Sequence, residues 1–440
     1  MSQVGERRRG REGQAGGRSR YLDILRLPGA LAFSGSAFVG RMSMSMYGLG
    51  TVLLIVAVTG RYGPAGTVAA TGSLGYALSA PVVAALSDRF GQRPVLLRQA
   101  AVFAASATAF IASAQLRAPL WLLLATGTLA GASMPSLGGM VRSRWSALLS
   151  GEPRRLQTAF ALESVNDELI FVVGPAVVTL LATQWLPASG VAVASMLAAA
   201  GTLLFALQRR TEPGPRRARG GRDGDVPRAG LPSRRARRRM PGRPSLPAAG
   251  LTVLAPVFLV LGAMFSAIDL STVAFASQLG HRPVAGLVLG SYAVGSAAGG
   301  LWYGSRHWRA PLGRRLVITM ALTAAGVCTF WSMPGLLALA AVGCVTSMSV
   351  APTLIAGYAI LERQAPARRR TEAMSWLSST VSVGVALGSA VAGRLIDLGG
   401  ARLGFGCAAA FGVASALVCL AGRSRLATPP GTPGAPIGPG

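Results

Sequence analysis

The chain contains no lysine. All 43 of its basic residues are arginine, set against 15 acidic residues and two histidines. A compositional bias of the genome accounts for that substitution, so no chemistry is read from it. Charge as a whole is scarce, at 13% of residues, where soluble domains carry about 25%. Cysteine is scarce as well. Cys328, Cys344, Cys407 and Cys419 all fall in apolar stretches, with no CxxC and no metal-ligand spacing. That pattern excludes a redox pair or a zinc site and leaves packing residues. His281 and His307 lie in short loops and make no metal set. No G-x-S-x-G, no HExxH, no P-loop and no paired catalytic histidine is present, so no enzyme class is recognisable and nucleotide-driven pumping by this chain is disfavoured.

Apolar sequence is what fills the 440 residues. They are 51% hydrophobic, with a mean hydropathy of +0.48. Crossing the hydrocarbon of a bilayer takes about 20 helical residues. Windows of that length fall at 31–58, 64–86, 95–115, 119–141, 157–183, 188–207, 250–276, 284–303, 316–333, 335–360, 371–396 and 402–422. The pattern predicts an all-α membrane protein with twelve transmembrane helices. The basic segment before residue 31 is no signal peptide, because the apolar run Leu31–Val58 is too long for one and no cleavage site follows. A retained first helix is expected.

Arginine position gives the orientation. If the amino terminus is inside, the inward segments hold 37 of the 43 arginines and the outward loops only Arg61, Arg117, Arg282 and Arg402. This is the positive-inside bias, and it predicts both termini in the cytoplasm and a cell-membrane location. The predicted organisation is a basic, disordered tail at 1–30, a six-helix bundle at 31–208, a disordered Arg/Pro/Gly linker at 209–249, a second six-helix bundle at 250–422 and a disordered tail at 423–440. The net charge of +28 sits in tails and linker without an aromatic platform, which excludes nucleic acid as partner. A solvated tether is the favoured reading of the linker, with contact to anionic lipid as the alternative. Cofactors and metals are not expected.

The two halves align weakly. Pro135 corresponds to Pro352 and Thr158 to Thr371, each pair bracketing an Arg-bearing turn. Duplicated six-helix halves are a feature of transporters. After the second window comes "AALSDRFGQRPVLL", residues 84–97. With the six-plus-six pattern around it, this loop resembles the signature of the major facilitator superfamily, Gly-x-Leu-x-Asp-Arg-x-Gly-Arg-Arg-x-x-Leu. Leu86, Asp88, Arg89, Gly91 and Arg93 match; Ala84 and Gln92 depart from it, and Gly304 stands at the acidic position of the second-half counterpart. The resemblance implies two pseudo-symmetric six-helix bundles, alternating access, a working monomer and a gating role for Asp88, Arg89, Gly91 and Arg93 at the inner face. A simple topology anchor is the plainer reading of the same loop.

One stretch breaks the apolar pattern. "LESVNDELIF", residues 162–171, puts Glu163, Asn166 and Asp167 on one helical face by i, i+3, i+4 spacing, at about 9–15 Å depth. Ionised groups there cost several kcal/mol, roughly 3 each on insertion scales, and need a partner. Arg41 in the first helix is at matching depth and is the predicted partner of Asp167 or Glu163. Arg142 and Arg144 are placed to reach Glu163 or Glu168. The set reads either as a proton-coupling site or as a charge network that only joins helices. Gly174 and Pro175 resemble part of a Gly-Pro element of the antiporter branch, which points to export; a kink and close packing explain them as well. Asp269 is expected near the outer mouth as a polar site. Glycine pairs at 127/131, 295/299 and 384/388 read as helix contacts.

These features predict a secondary transporter that exports a small organic molecule in exchange for protons. Uptake of a metabolite by the same fold, or a membrane sensor or scaffold that no longer transports, are the other readings.

Overall fold

The computed structural model describes residues 22–213, 248–306, 308–364 and 370–426. Most of the three segments expected to lack structure, and His307, lie outside the described residues.

The described residues are helical, without strands. The elements are α1 (Ala30–Thr59), α2 (Tyr62–Phe90), α3 (Gln92–Gln115), α4 (Leu120–Ser133), α5 (Leu137–Leu148), α6 (Pro153–Gln184) and α7 (Ser189–Leu207), then α8 (Ala248–Gln278), α9 (Ala285–Ser305), α10 (Leu312–Val327), α11 (Leu336–Ser347), α12 (Val350–Gln364) and α13 (Arg370–Ala421). Eleven stretches among the described residues are long and apolar enough to span a membrane. The last contains two arms, because Gly399 and Gly400 leave helical geometry inside α13, Gly400 with φ 74°. That break falls between the two final windows of the sequence. The protein is a multi-pass membrane protein.

Two spans are not continuous. Residues 134–136 interrupt the fourth, between α4 and α5, and 348–349 interrupt the tenth, between α11 and α12. Both were expected as single helices. Pro135 lacks the amide that would continue α4, and the freed Met134 carbonyl accepts from Gln99 Nε2 at 3.1 Å. At the second break Ser349 Oγ donates to the Thr346 carbonyl at 2.7 Å. Backbone freed inside a membrane needs such partners.

Two compact units divide the chain. The first holds residues 1–60 and 74–224, the second 61–73 and 225–440. In the first, Phe33, Trp145, Leu137, Leu96 and Phe205 form the core, and Ile24 is buried with them. Residues 22–25 make a helical turn, so the expected disordered tail stops short of Ile24: its apolar side chain, with Leu27, finds that core. Thr211, on the linker side of α7, is likewise buried.

The second unit includes the first turns of α2. Tyr62 N and Gly63 N donate to the Asp397 carboxylate at 2.6 and 2.8 Å, satisfying amides that a helix start leaves free. Leu426, past the last span, is buried. The spaced glycines mark helix crossings: Gly295 and Gly299 face the backbone of Cys344 and Met348, and Gly384 and Gly388 face that of Leu259 and Ala263.

Candidate functional site

The site is in the first unit, where α1, α5 and α6 meet. Arg41 of α1 is 1% exposed and binds two carboxylates one turn apart on α6. Its Nη1 donates to Asp167 Oδ1 at 2.7 Å, and its Nη2 pairs with Glu163 Oε2. Its Nε donates to Ala37 O at 3.3 Å. The i, i+4 spacing of Glu163 and Asp167 lets one guanidinium span both.

Glu163 is fully buried, at 0% exposure, and fully occupied. Besides Arg41 it accepts from Ser34 Oγ at 2.7 Å and from Trp145 Nε1 at 2.9 Å, both on Oε1. A buried indole N–H needs an acceptor, and a buried carboxylate needs donors, so each satisfies the other. Phe33 packs edge-on against the Trp145 ring at 4.7 Å, fixing it in place.

Asp167 is different. It is 35% exposed, and its second oxygen accepts from Arg142 Nη2 at 2.9 Å, Arg142 being 43% exposed. The result is a linear chain, Glu163–Arg41–Asp167–Arg142, with two charges of each sign. It is sealed at the Glu163 end and open at the Arg142 end.

Other residues of the stretch stay apart. Asn166 is half-buried and joins no hydrogen bond among the described residues. Of the two arginines placed to reach Glu163 or Glu168, Arg142 goes instead to Asp167. Arg144 reaches none of these carboxylates. It is fully buried, donates to Gln92 Oε1 at 2.9 Å and to Gln208 O and Thr211 Oγ1 at 3.1 and 3.2 Å, and lies 3.7 Å above the Phe205 ring. Two residues apart on a helix, Arg142 and Arg144 point to opposite sides. Ser34 and Trp145 were not singled out from the sequence; only Trp145, a polar-tipped aromatic near the end of a span, carried a signal.

Gly174 is one of the positions where the absence of a side chain matters. A Cβ there would collide with Ser45, whose Oγ donates to Ile170 O at 2.8 Å. Gly174 therefore brings α6 against α1 just beyond the charge chain. Pro175 follows inside the helix.

The loop between α2 and α3 turns at Gly91, with φ 92°. L-residues avoid that conformation. Arg89 is exposed, its guanidinium 5.1 Å from the Phe90 ring. The Arg93 amide donates to Glu212 Oε1 at 2.9 Å, which caps the start of α3 from beyond α7. The side chain of Asp88 lies outside the description. In the second unit, Asp269 is nine residues short of the end of α8. About 13 Å of helix separates it from that end. No group of three or more metal-ligating side chains occurs among the described residues.

Comparison with known proteins agrees with this architecture. The family model of the Major Facilitator Superfamily matches residues 33–305 and 254–438. No curated protein sequence matches. Solved structures with the same fold include the nucleoside transporter NupG, at 14% identity and a TM-score of 0.68, covering 89% of this chain and 99% of that one. The POT family transporter PepTSo gives 13% identity and 0.68, covering 90% and 97%. A bacterial homologue of the iron transporter ferroportin gives 14% and 0.64, covering 90% and 99%. Matched on both halves by one family model, with helices that span a membrane throughout, the chain belongs to the major facilitator superfamily of membrane transporters and is not an enzyme.

Proposed function

We propose that the protein exports a small organic molecule across the cell membrane in exchange for protons, and that Asp167 is the group that binds the proton. One observation carries this reading: the two carboxylates of α6 share Arg41, yet Glu163 is 0% exposed and Asp167 is 35% exposed. A coupling carboxylate needs a route for the proton and a partner that competes with it. Asp167 has both, in Arg41 and Arg142. Proton and guanidinium compete for the same oxygens, so proton binding at Asp167 loosens the tie between α1 and α6. Glu163, closed off by three donors, keeps Arg41 in place while that happens. Asn166 lies one residue before Asp167 as a polar neighbour without a fixed bond.

Export, rather than uptake, is supported by the Gly174–Pro175 element alone. The arginine bias supports termini on the cytoplasmic side. On that orientation the loop with Asp88, Arg89, Gly91 and Arg93 lies at the inner face, where Glu212 on the Arg93 amide would hold its shape through the transport cycle. The substrate is a small molecule, the bilayer is the surrounding partner, and a monomer suffices for the mechanism.

The test is proton movement in proteoliposomes with a trapped pH dye. Compounds are added under an imposed gradient to wild type and to Asp167→Asn. The expected result is compound-driven proton flux in wild type and its loss in the variant. Equal coupling in both would reduce the charge chain to a helix clasp.

A further inference from the structure

The second unit holds a carboxylate that the charge chain does not use. Residues 261–276 of α8 are buried or half-buried except for Asp269, which is exposed. A helix side turned to lipid shows a stripe of exposed apolar residues; here the single exposed position is an acid. The Asp269 carboxylate is therefore the one polar group that this covered stretch of helix leaves accessible. An ionised group facing lipid would in any case cost about 3 kcal/mol.

Among the described residues Asp269 also has no counter-ion. Glu163, Asp167 and Asp397 each hold an arginine. Among the described residues Asp269 makes no hydrogen bond and no ion pair. One helical turn further on, Thr272 Oγ1 is 3.4 Å from the Tyr292 hydroxyl. The half-buried Tyr292 ring is stacked on Phe330, with centroids 5.9 Å apart and planes at 28°. It is seated over Gly343, where any Cβ would collide with it. Asp269 and Thr272 share one side of α8, and Thr272 meets the Tyr292 hydroxyl; an anion without a described partner and an electron-rich ring are the two groups that recognise a positively charged organic molecule.

We infer that Asp269 and the Tyr292 ring form a recognition site for an organic cation, an ammonium or phosphonium carried on an apolar body. The inference rests on the reading of the chain as a transporter, and not on proton coupling at Asp167. No arginine pairs with Asp269 among the described residues, and a cationic substrate would supply the positive charge. The ring supplies the face on which an alkylated cation, poor in hydrogen-bond donors, is held.

Equilibrium binding of tetraphenylphosphonium to the purified full chain tests this, with tetraphenylborate as an anion of the same shape. Wild type is expected to bind the phosphonium in preference to the borate. Asp269→Asn should weaken that binding by about tenfold or more, as the loss of a charge pair does. Asp269→Glu should retain most of it, and thermal stability of both variants should match wild type, because Asp269 has no structural partner to lose. Equal binding by Asp269→Asn, equal binding of borate, or no binding of the phosphonium by wild type would overturn the inference. Because binding needs no transport, a wild type that binds the cation but shows no compound-driven proton flux would count against the coupling reading alone.

Discussion

Arg41 donates to Asp167 at 2.7 Å across 126 positions of the chain, and the same guanidinium grips Glu163 one turn away. The two carboxylates share a partner but not an environment. Glu163→Gln should therefore cost stability, about 3–5 kcal/mol, since it leaves a buried guanidinium half-paired. Asp167→Asn should cost less, because water can reach the vacated oxygen, while its effect on proton flux is the larger. Thermal unfolding in detergent beside flux in proteoliposomes would show whether the two effects separate in this way.

The Arg41–Glu163 pair should be strongly non-additive. Arg41→Gln alone leaves Glu163 buried with only Ser34 and Trp145 as donors. Combined with Glu163→Gln, part of the loss should return, giving a coupling energy of about 1–3 kcal/mol. Simple addition of the two single losses in a double-mutant cycle would remove the pair from the account.

Gly174→Ala should disrupt the contact between α1 and α6 by forcing Ser45 aside, at a cost of about 1–3 kcal/mol. Ser45→Gly in the same chain should restore most of it, since it clears the atoms that a new Cβ meets. Stability measured across the four variants distinguishes this from a kink role of Pro175, which Ser45→Gly would not rescue.

At the loop between α2 and α3, Gly91→Ala places a side chain at φ 92° and should destabilise by about 1–3 kcal/mol. Glu212→Ala removes the acceptor of the Arg93 amide and should cost about 0.5–2 kcal/mol. If the loop also gates, both variants should change the transport rate by more than their stability alone accounts for. Initial rates at matched amounts of folded protein would check that.

Much of this was legible in the sequence because membrane spans obey strong rules. Apolar length located the spans, and the break at Gly399 and Gly400 falls in the gap between the last two windows. Arg41, Glu163 and Asp167 stood out because charge at such depth is costly and helical spacing aligned two of them. The partners that complete the site were harder to see. Arg142 and Trp145 reach α6 only because the fourth span stops at Ser133 and restarts at Leu137, which resets the direction in which each α5 side chain points. Ser34 is one small hydroxyl among many, with nothing local to distinguish it. Glu212 looked like linker, and its role follows from where α7 ends beside α3.

The central claim is that Asp167, and not Glu163, takes up and gives back the proton. Infrared difference spectra of the purified chain between alkaline and acidic pH measure this directly, through the carbonyl stretch of a protonated carboxyl group. The account expects a carboxyl band that appears on acidification in wild type, persists in Glu163→Gln and is missing in Asp167→Asn. A band that persists in Asp167→Asn and vanishes in Glu163→Gln would contradict it.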